Sequence, residues 1–208
     1  MKILVADLEG VFLPEIWINI AKKTGIAELK LTTRDISDYN VLMTRRLSIL
    51  KEQGLKIQDI QAVINTLEPL EGALDMLNWI RQRGQIIILS DTFEEFAGPL
   101  MAKLNYPTLL CHSLDIDKTG NITNYQLRIE NQKQQAVKAL KGMNYHVIAF
   151  GDSYNDISMI KEADQGFFFC PPDTVIKDYP EIPVTRNYSE LKAMIKTLLC
   201  GQLSTCSK

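Results

Sequence analysis

The sequence has little that would commit it to a membrane, a nucleic acid or an oxidising compartment. Its longest apolar runs reach only about five or six residues, far below the ~20 that a bilayer-spanning helix needs. Neither sign of charge dominates. The 23 Lys and Arg stand against 25 Asp and Glu, a balance with no net field to hold a nucleic-acid backbone or an anionic lipid surface. The four cysteines, Cys111, Cys170, Cys200 and Cys206, never fall at C-x-x-C spacing, so neither a zinc knuckle nor a disulfide framework is indicated. At the start of the chain, Asp7 interrupts the apolar run Ile3–Ala6 before it can form the core of a secretion signal. These absences lead to the expectation of a soluble, cytoplasmic protein that binds no nucleic acid and enters no membrane. Hydrophobic residues at 46% and charged residues at 23% of 208 positions describe an ordinary globular chain, long enough for one α/β domain with an insertion.

What the sequence does contain is an alternation of short apolar runs with longer amphipathic stretches. The runs are Ile3–Ala6, Ile86–Leu89, Tyr145–Phe150 and Gly166–Cys170. The last three follow helical patterns at about 71–83, 134–141 and 157–163. Continuous apolar runs of this length fit strands buried on both faces, with the helices as crossovers. The pattern predicts a doubly wound parallel sheet, whose ligands sit beyond the carboxyl ends of the strands. The first two runs are too far apart for one crossover. Three helical stripes fill the gap: Ile16, Trp17, Ile20 and Ala21; then Val41, Leu42, Leu47, Ile49 and Leu50; then Ile57, Ile60, Val63, Ile64 and Leu67. They predict a helical cap at 15–68 inserted into a core made of 1–14 and 69–208. A β-hairpin is expected where Leu109–Ile116 and Ile122–Ile129 flank the turn Asp117–Asn121. The small polar tail, 201–208, reads as a frayed end.

Three predicted strand ends carry chemistry. Asp7-Leu8-Glu9-Gly10-Val11 places two acids at i and i+2, which face the same way on an extended chain. Ser90-Asp91-Thr92 ends the second run and is expected to open a helix, as an N-cap or as a hydroxyl and N–H cradle for an anion. Gly151-Asp152-Ser153-Tyr154-Asn155-Asp156 gathers two acids and an amide, a donor set suited to a hard, oxygen-liganded cation.

The set, in that order, resembles the haloacid-dehalogenase-like phosphohydrolases, and the resemblance covers the chain from Lys2 to about Leu199. Within that superfamily, Pro14-Glu15, the helical run to Arg45-Arg46 and Pro69-Leu70-Glu71-Gly72-Ala73 resemble the phosphoserine phosphatases. Asp-Leu-Glu-Gly-Val and Ser-Asp-Thr-Phe resemble their bifunctional branch, which also transfers phosphate from phosphoserine to homoserine. The resemblance implies that Asp7 is the nucleophile and that Glu9 is the acid and then the base. It implies a Mg²⁺ held by Asp7, Asp152 and the backbone carbonyl of Glu9, with Asp156 supporting that shell. Lys133, at the third motif, would stabilise charge on the transferring phosphoryl group. Ser90, the N–H of Asp91 and Asn155 would hold the phosphoryl oxygens. Glu15 would take the substrate ammonium, one position nearer the nucleophile than in many relatives. Arg46 would take its carboxylate, with Arg45 as the alternative.

Glu9 stands where most of the superfamily has Asp, and its extra methylene suits an alcohol acceptor as well as water. A phosphatase of another small phosphomonoester is the competing reading. A non-catalytic protein on this fold would be expected to lose one of Asp7, Glu9, Lys133 or Asp152, and all four are present. His112 and His146 have no acid at ligand spacing and read as core or surface residues. Cys111 and His112 are neighbours on a predicted strand and so point apart. Phe167–Phe169 reads as a buried strand, and Trp17 and Trp79 as packing residues on helices.

Overall fold

The computed structural model describes residues 1–32, 35, 36 and 38–200. Helices and strands succeed one another as β1 (Lys2–Ala6), α1 (Ile16–Thr24), α2 (Tyr39–Glu52), α3 (Ile57–Ile64), α4 (Ala73–Arg81), β2 (Gln85–Phe93), α5 (Glu94–Met101), β3 (Thr108–Ile116) and β4 (Ile122–Gln126). The chain continues through α6 (Gln132–Gly142), β5 (His146–Gly151), α7 (Ile157–Glu162), β6 (Gln165–Phe169), α8 (Asp173–Asp178), β7 (Val184–Thr185) and α9 (Tyr188–Cys200). Among the described residues, seven strands form one sheet in the order β4-β3-β2-β1-β5-β6-β7, with every pair parallel except β3–β4. The doubly wound sheet is therefore present, with an antiparallel hairpin at one edge.

The apolar runs form central strands because both their faces are covered. In β1, Leu4 and Ala6 enter the large core, which also holds Phe12, Phe93, Phe150 and Phe167. Ile3 and Val5 enter the smaller one, with Val137, Leu140, Val147 and Met159 of α6, β5 and α7. The large core runs on without a break into the helices between β1 and β2, through Ile16, Ile20, Met43, Leu50, Ile57, Ile60 and Ile64. The three stripes thus close over the same apolar interior that the sheet shares. No helix among the described residues is long and apolar enough to cross a membrane.

Chain direction decides where ligands can gather. From β1 the chain builds outward through β2 and β3, then returns to place β5 on the other side of β1. The carboxyl ends of β1 and β5 therefore meet at the switch point, where flanking connections diverge and leave a crevice. The Asp7 N–H donates to the Phe150 carbonyl at 3.1 Å, which brings Asp7 level with Gly151.

Two expectations are corrected. Ser90-Asp91-Thr92 does not open a helix: the strand runs on to Phe93, and α5 begins at Glu94. Pairing with β3 through a register irregularity between Leu89 and Phe93 keeps this segment extended. Tertiary pairing of this kind overrides local capping preference. The second hairpin strand stops at Gln126 rather than Ile129. The tail 201–208 lies outside the described residues.

Candidate active site

Beyond the ends of β1, β2 and β5 is a small cavity of about 90 Å³, walled by Asp7, Glu9, Glu15, Arg46, Ser90, Asp91, Asp152 and Asn155 among others. Lys133 and Asp156 lie buried directly behind this wall. Residues predicted from separate stretches of sequence are thus brought to one place.

Asp7 and Asp156 share one ammonium. Lys133 Nζ is 2.9 Å from Asp7 and 2.8 Å from Asp156, and 3.8 Å from Asp91. Burial alone would lower the Lys133 pKa, but Asp156, Asp7 and Asp91 together hold it well above its ordinary value. Lys133 is 2% exposed, so solvent screens little of this attraction. Asp7 sits well above the usual carboxylate range, through burial first and then repulsion by Asp156, with Lys133 opposing. Asp156 accepts the backbone N–H groups of Asp152 and Ser153 at 2.9 and 3.1 Å, which fixes the turn after β5.

Asp7, Asp152 and Asp156 each offer an oxygen, and these lie within 4.8 Å of one another. Three buried carboxylates and no soft donor make a fitting set for a hard divalent cation. Two glycines create the room. Gly10 has φ +74°, and a Cβ there would collide with the Asp152 carboxylate; a Cβ on Gly151 would collide with that of Asp156.

Unlike Asp7, Glu9 makes no direct lysine contact among the described residues. Its carboxylate accepts the Ile16 N–H at 2.7 Å. Burial, with repulsion from Glu15 second, pushes its pKa up to about 8, against the pull of Ile16, Arg46 and Lys133. A carboxyl that keeps its proton near neutrality can donate it, which is the requirement for a general acid.

Glu15, at the N-cap position of α1 but with no side-chain cap bond, lines the same cavity, and Arg46 comes from the buried face of α2, whereas Arg45 is exposed. Arg46 donates to the Leu31 carbonyl at 2.8 Å and contacts Met43 Sδ at 3.7 Å. Its Nε is buried without a hydrogen-bond partner, the kind of orphaned donor that an absent anion accounts for.

The sequence profile of the haloacid dehalogenase-like hydrolases matches residues 2–164. The chain is 55% identical to phosphoserine phosphatase ThrH of Pseudomonas aeruginosa over 192 residues, covering 92% of this chain and 94% of that protein. It belongs to the haloacid dehalogenase-like hydrolases, in the phosphoserine phosphatase family. A second relative, the phosphoserine phosphatase of Pseudomonas syringae pv. tomato, is also 55% identical, over 92% of this chain and 81% of that protein. The fold matches the crystal structure of an apo phosphoserine phosphatase with a TM-score of 0.74 at 23% identity, over 94% and 98% of the two chains.

In and beside this cavity the phosphatase also holds residues that local sequence did not indicate. His112 is buried, with Nε2 3.7 Å from Asp91 Oδ1, and its Nδ1 accepts the Arg128 N–H at 3.1 Å. The acid it lacks in sequence is supplied by the neighbouring strand. Asp91 also accepts from Asn155 Nδ2 at 2.9 Å. Burial would raise the Asp91 pKa, but Lys133, His112 and Asn155 hold it well below the ordinary range. Asn155 is thus tied to Asp91, and the Ser153 hydroxyl donates to its Oδ1. The Tyr39 hydroxyl, at the start of α2, donates to the Asp91 carbonyl at 3.0 Å. His146, by contrast, stays on the far end of β5, 3.8 Å from Asp164.

Proposed function

We propose that the chain hydrolyses O-phospho-L-serine with Mg²⁺, through an aspartyl-phosphate on Asp7, and also passes the phosphoryl group to homoserine. The observation that carries this reading is the lining of one small cavity: a carboxylate nucleophile, a protonated Glu9, Glu15 and the buried guanidinium of Arg46 all reach it. An amino acid bearing a phosphate matches that set of charges, while a simple phosphomonoester leaves Glu15 and Arg46 unused.

Asp7 attacks phosphorus as the bond to the serine oxygen breaks, and Glu9 gives that oxygen its proton. Glu9, now a carboxylate, takes a proton from water or from the homoserine hydroxyl. The oxygen so activated attacks phosphorus and releases Asp7. Lys133 offsets charge on the nucleophile and on the transferring group throughout. Ser90, the Asp91 N–H and Asn155 orient the phosphoryl oxygens. Asp7, Asp152 and the Glu9 carbonyl would hold Mg²⁺, with Asp156 behind them; bound there, the ion lowers the repulsion between phosphate and carboxylates. The helices of 15–68 act as the cap, excluding bulk water from the phospho-enzyme so that an alcohol can compete.

The test is incubation with phosphoserine and Mg²⁺ at increasing homoserine, following serine, inorganic phosphate and phosphohomoserine together. One common phospho-enzyme predicts that the ratio of phosphohomoserine to phosphate rises linearly with homoserine at low concentration. A ratio of zero up to millimolar homoserine, with phosphoserine still consumed, would remove the transfer half of the reading.

Arg46→Ala should cost phosphoserine about ten- to hundredfold more in kcat/KM than it costs an aryl phosphate. That range is the roughly 1.5–3 kcal/mol of one charge-assisted contact, made only to a substrate carboxylate. Equal losses on both substrates would take Arg46 out of the carboxylate role and favour another phosphomonoester.

A further inference from the structure

Trp17 takes no part in the chemistry above, yet its ring forms the wall beside Arg46. The guanidinium carbon stands 4.4 Å from the centroid of the indole. The indole in turn meets Phe96 edge-on at 5.4 Å, and Phe96 meets Phe93 edge-on at 5.5 Å. The stack is therefore braced against the end of β2. Both Trp17 and Arg46 line the catalytic cavity. Among the described residues, the guanidinium's other hydrogen-bond partners are neutral, namely the Leu31 carbonyl and Met43 Sδ. Glu9 and Glu15 act on it through space and not by hydrogen bonds.

A buried cation without an anionic partner is expensive to maintain. An aromatic face lowers that expense without neutralising the charge, and indole does so best. It also confines a planar guanidinium to one orientation, so less ordering remains to be done when a ligand arrives. Trp17 lies two positions after Glu15, within the first turn of α1. One rigid turn thus carries the acceptor for the ammonium and the platform for the cation that meets the carboxylate.

We propose that Trp17 is a specificity-determining positioning residue: its indole face holds the Arg46 guanidinium in place with its charge available to a ligand, so that phosphorylated amino acids are selected over phosphomonoesters lacking a carboxylate. The inference rests on the Arg46 reading above.

Trp17→Leu, Trp17→Tyr and Arg46→Ala, with the double variant Trp17→Leu/Arg46→Ala, test it by KM and kcat for phosphoserine and for p-nitrophenyl phosphate. Trp17→Leu should raise the phosphoserine KM roughly tenfold more than the aryl phosphate KM, the effect of a desolvated cation–π contact. Tyr retains a π face and should recover most of that difference; it also carries the test if the Leu variant does not fold. On the Arg46→Ala background, Trp17→Leu should add no further discrimination. Equal effects of Trp17→Leu on both substrates, no recovery by Tyr, or an undiminished effect without Arg46 would each overturn the role of Trp17. Equal damage from Arg46→Ala alone would instead overturn the reading of Arg46 itself.

Discussion

Asp7→Asn is expected to lower phosphoserine turnover by roughly 10³-fold or more while leaving the fold intact. The amide keeps the shape of the carboxylate, and its oxygen can still accept from the Leu8 N–H and from Lys133, which now stand at 2.8 and 2.9 Å. It cannot act as the nucleophile that forms an aspartyl-phosphate. Stability should not fall, because the wild-type carboxylate is held against burial and against repulsion from Asp156. The melting temperature in chelator is therefore expected to equal or exceed that of the parent. The two readouts together make the test sharp: low activity with a retained or raised Tm supports a chemical role. A folded variant keeping more than about a tenth of the parent rate would end the covalent mechanism.

Lys133→Met carries the second large effect, and here activity and stability should fall together. The methionine fills the space of the lysine stem but leaves Asp7 and Asp156 without their shared counter-charge. Removing one member of a buried ion pair typically costs about 3–5 kcal/mol, and the loss here falls on carboxylates within 4.8 Å of one another. Turnover should drop by about 10²–10³-fold, as for loss of a preorganised charge-stabilising donor. Two conditions should return part of the stability. Mg²⁺ should raise the Tm of the variant more than that of the parent, since the ion replaces the missing positive charge. Acidification should do the same. Asp7 already binds its proton more tightly in the folded state than its ordinary pKa implies. Stability linked to that proton is present below the unfolded pKa and is lost as pH rises through the folded one. Melting curves of both proteins in chelator and in Mg²⁺, at neutral and mildly acidic pH, check this. A variant with the Tm of the parent in chelator would show that Lys133 is not the counter-charge.

Much of this layout was legible in the linear order of residues, because the properties concerned repeat over short distances. A strand covered on both faces must be apolar over a short run of positions, which marked Ile3–Ala6, Ile86–Leu89 and Tyr145–Phe150. Helices that cover a core must be apolar at three- and four-residue spacing, which marked the stretches that became α1, α2 and α3. Acids and hydroxyls at the ends of apolar runs marked the candidate site, since strands of a doubly wound sheet deliver their ends to one edge.

What the sequence could not express depends on which surfaces meet. Ser90–Thr92 has the composition of a helix cap, and only pairing with β3 keeps it extended. Arg45 and Arg46 are equivalent as letters. The packing of α2 buries one and exposes the other. His112 gains an acid because Phe93 and His112 are register partners on adjacent strands, which places Asp91 beside the ring. Trp17 meets Arg46 from another helix. The raised pKa of Glu9 follows from burial and from the charge of Glu15, not from its place in the motif. Periodicity is a local property and is written in the chain; charge state and contact are set by burial and by residues distant in sequence, so they are decided only when the chain closes on itself.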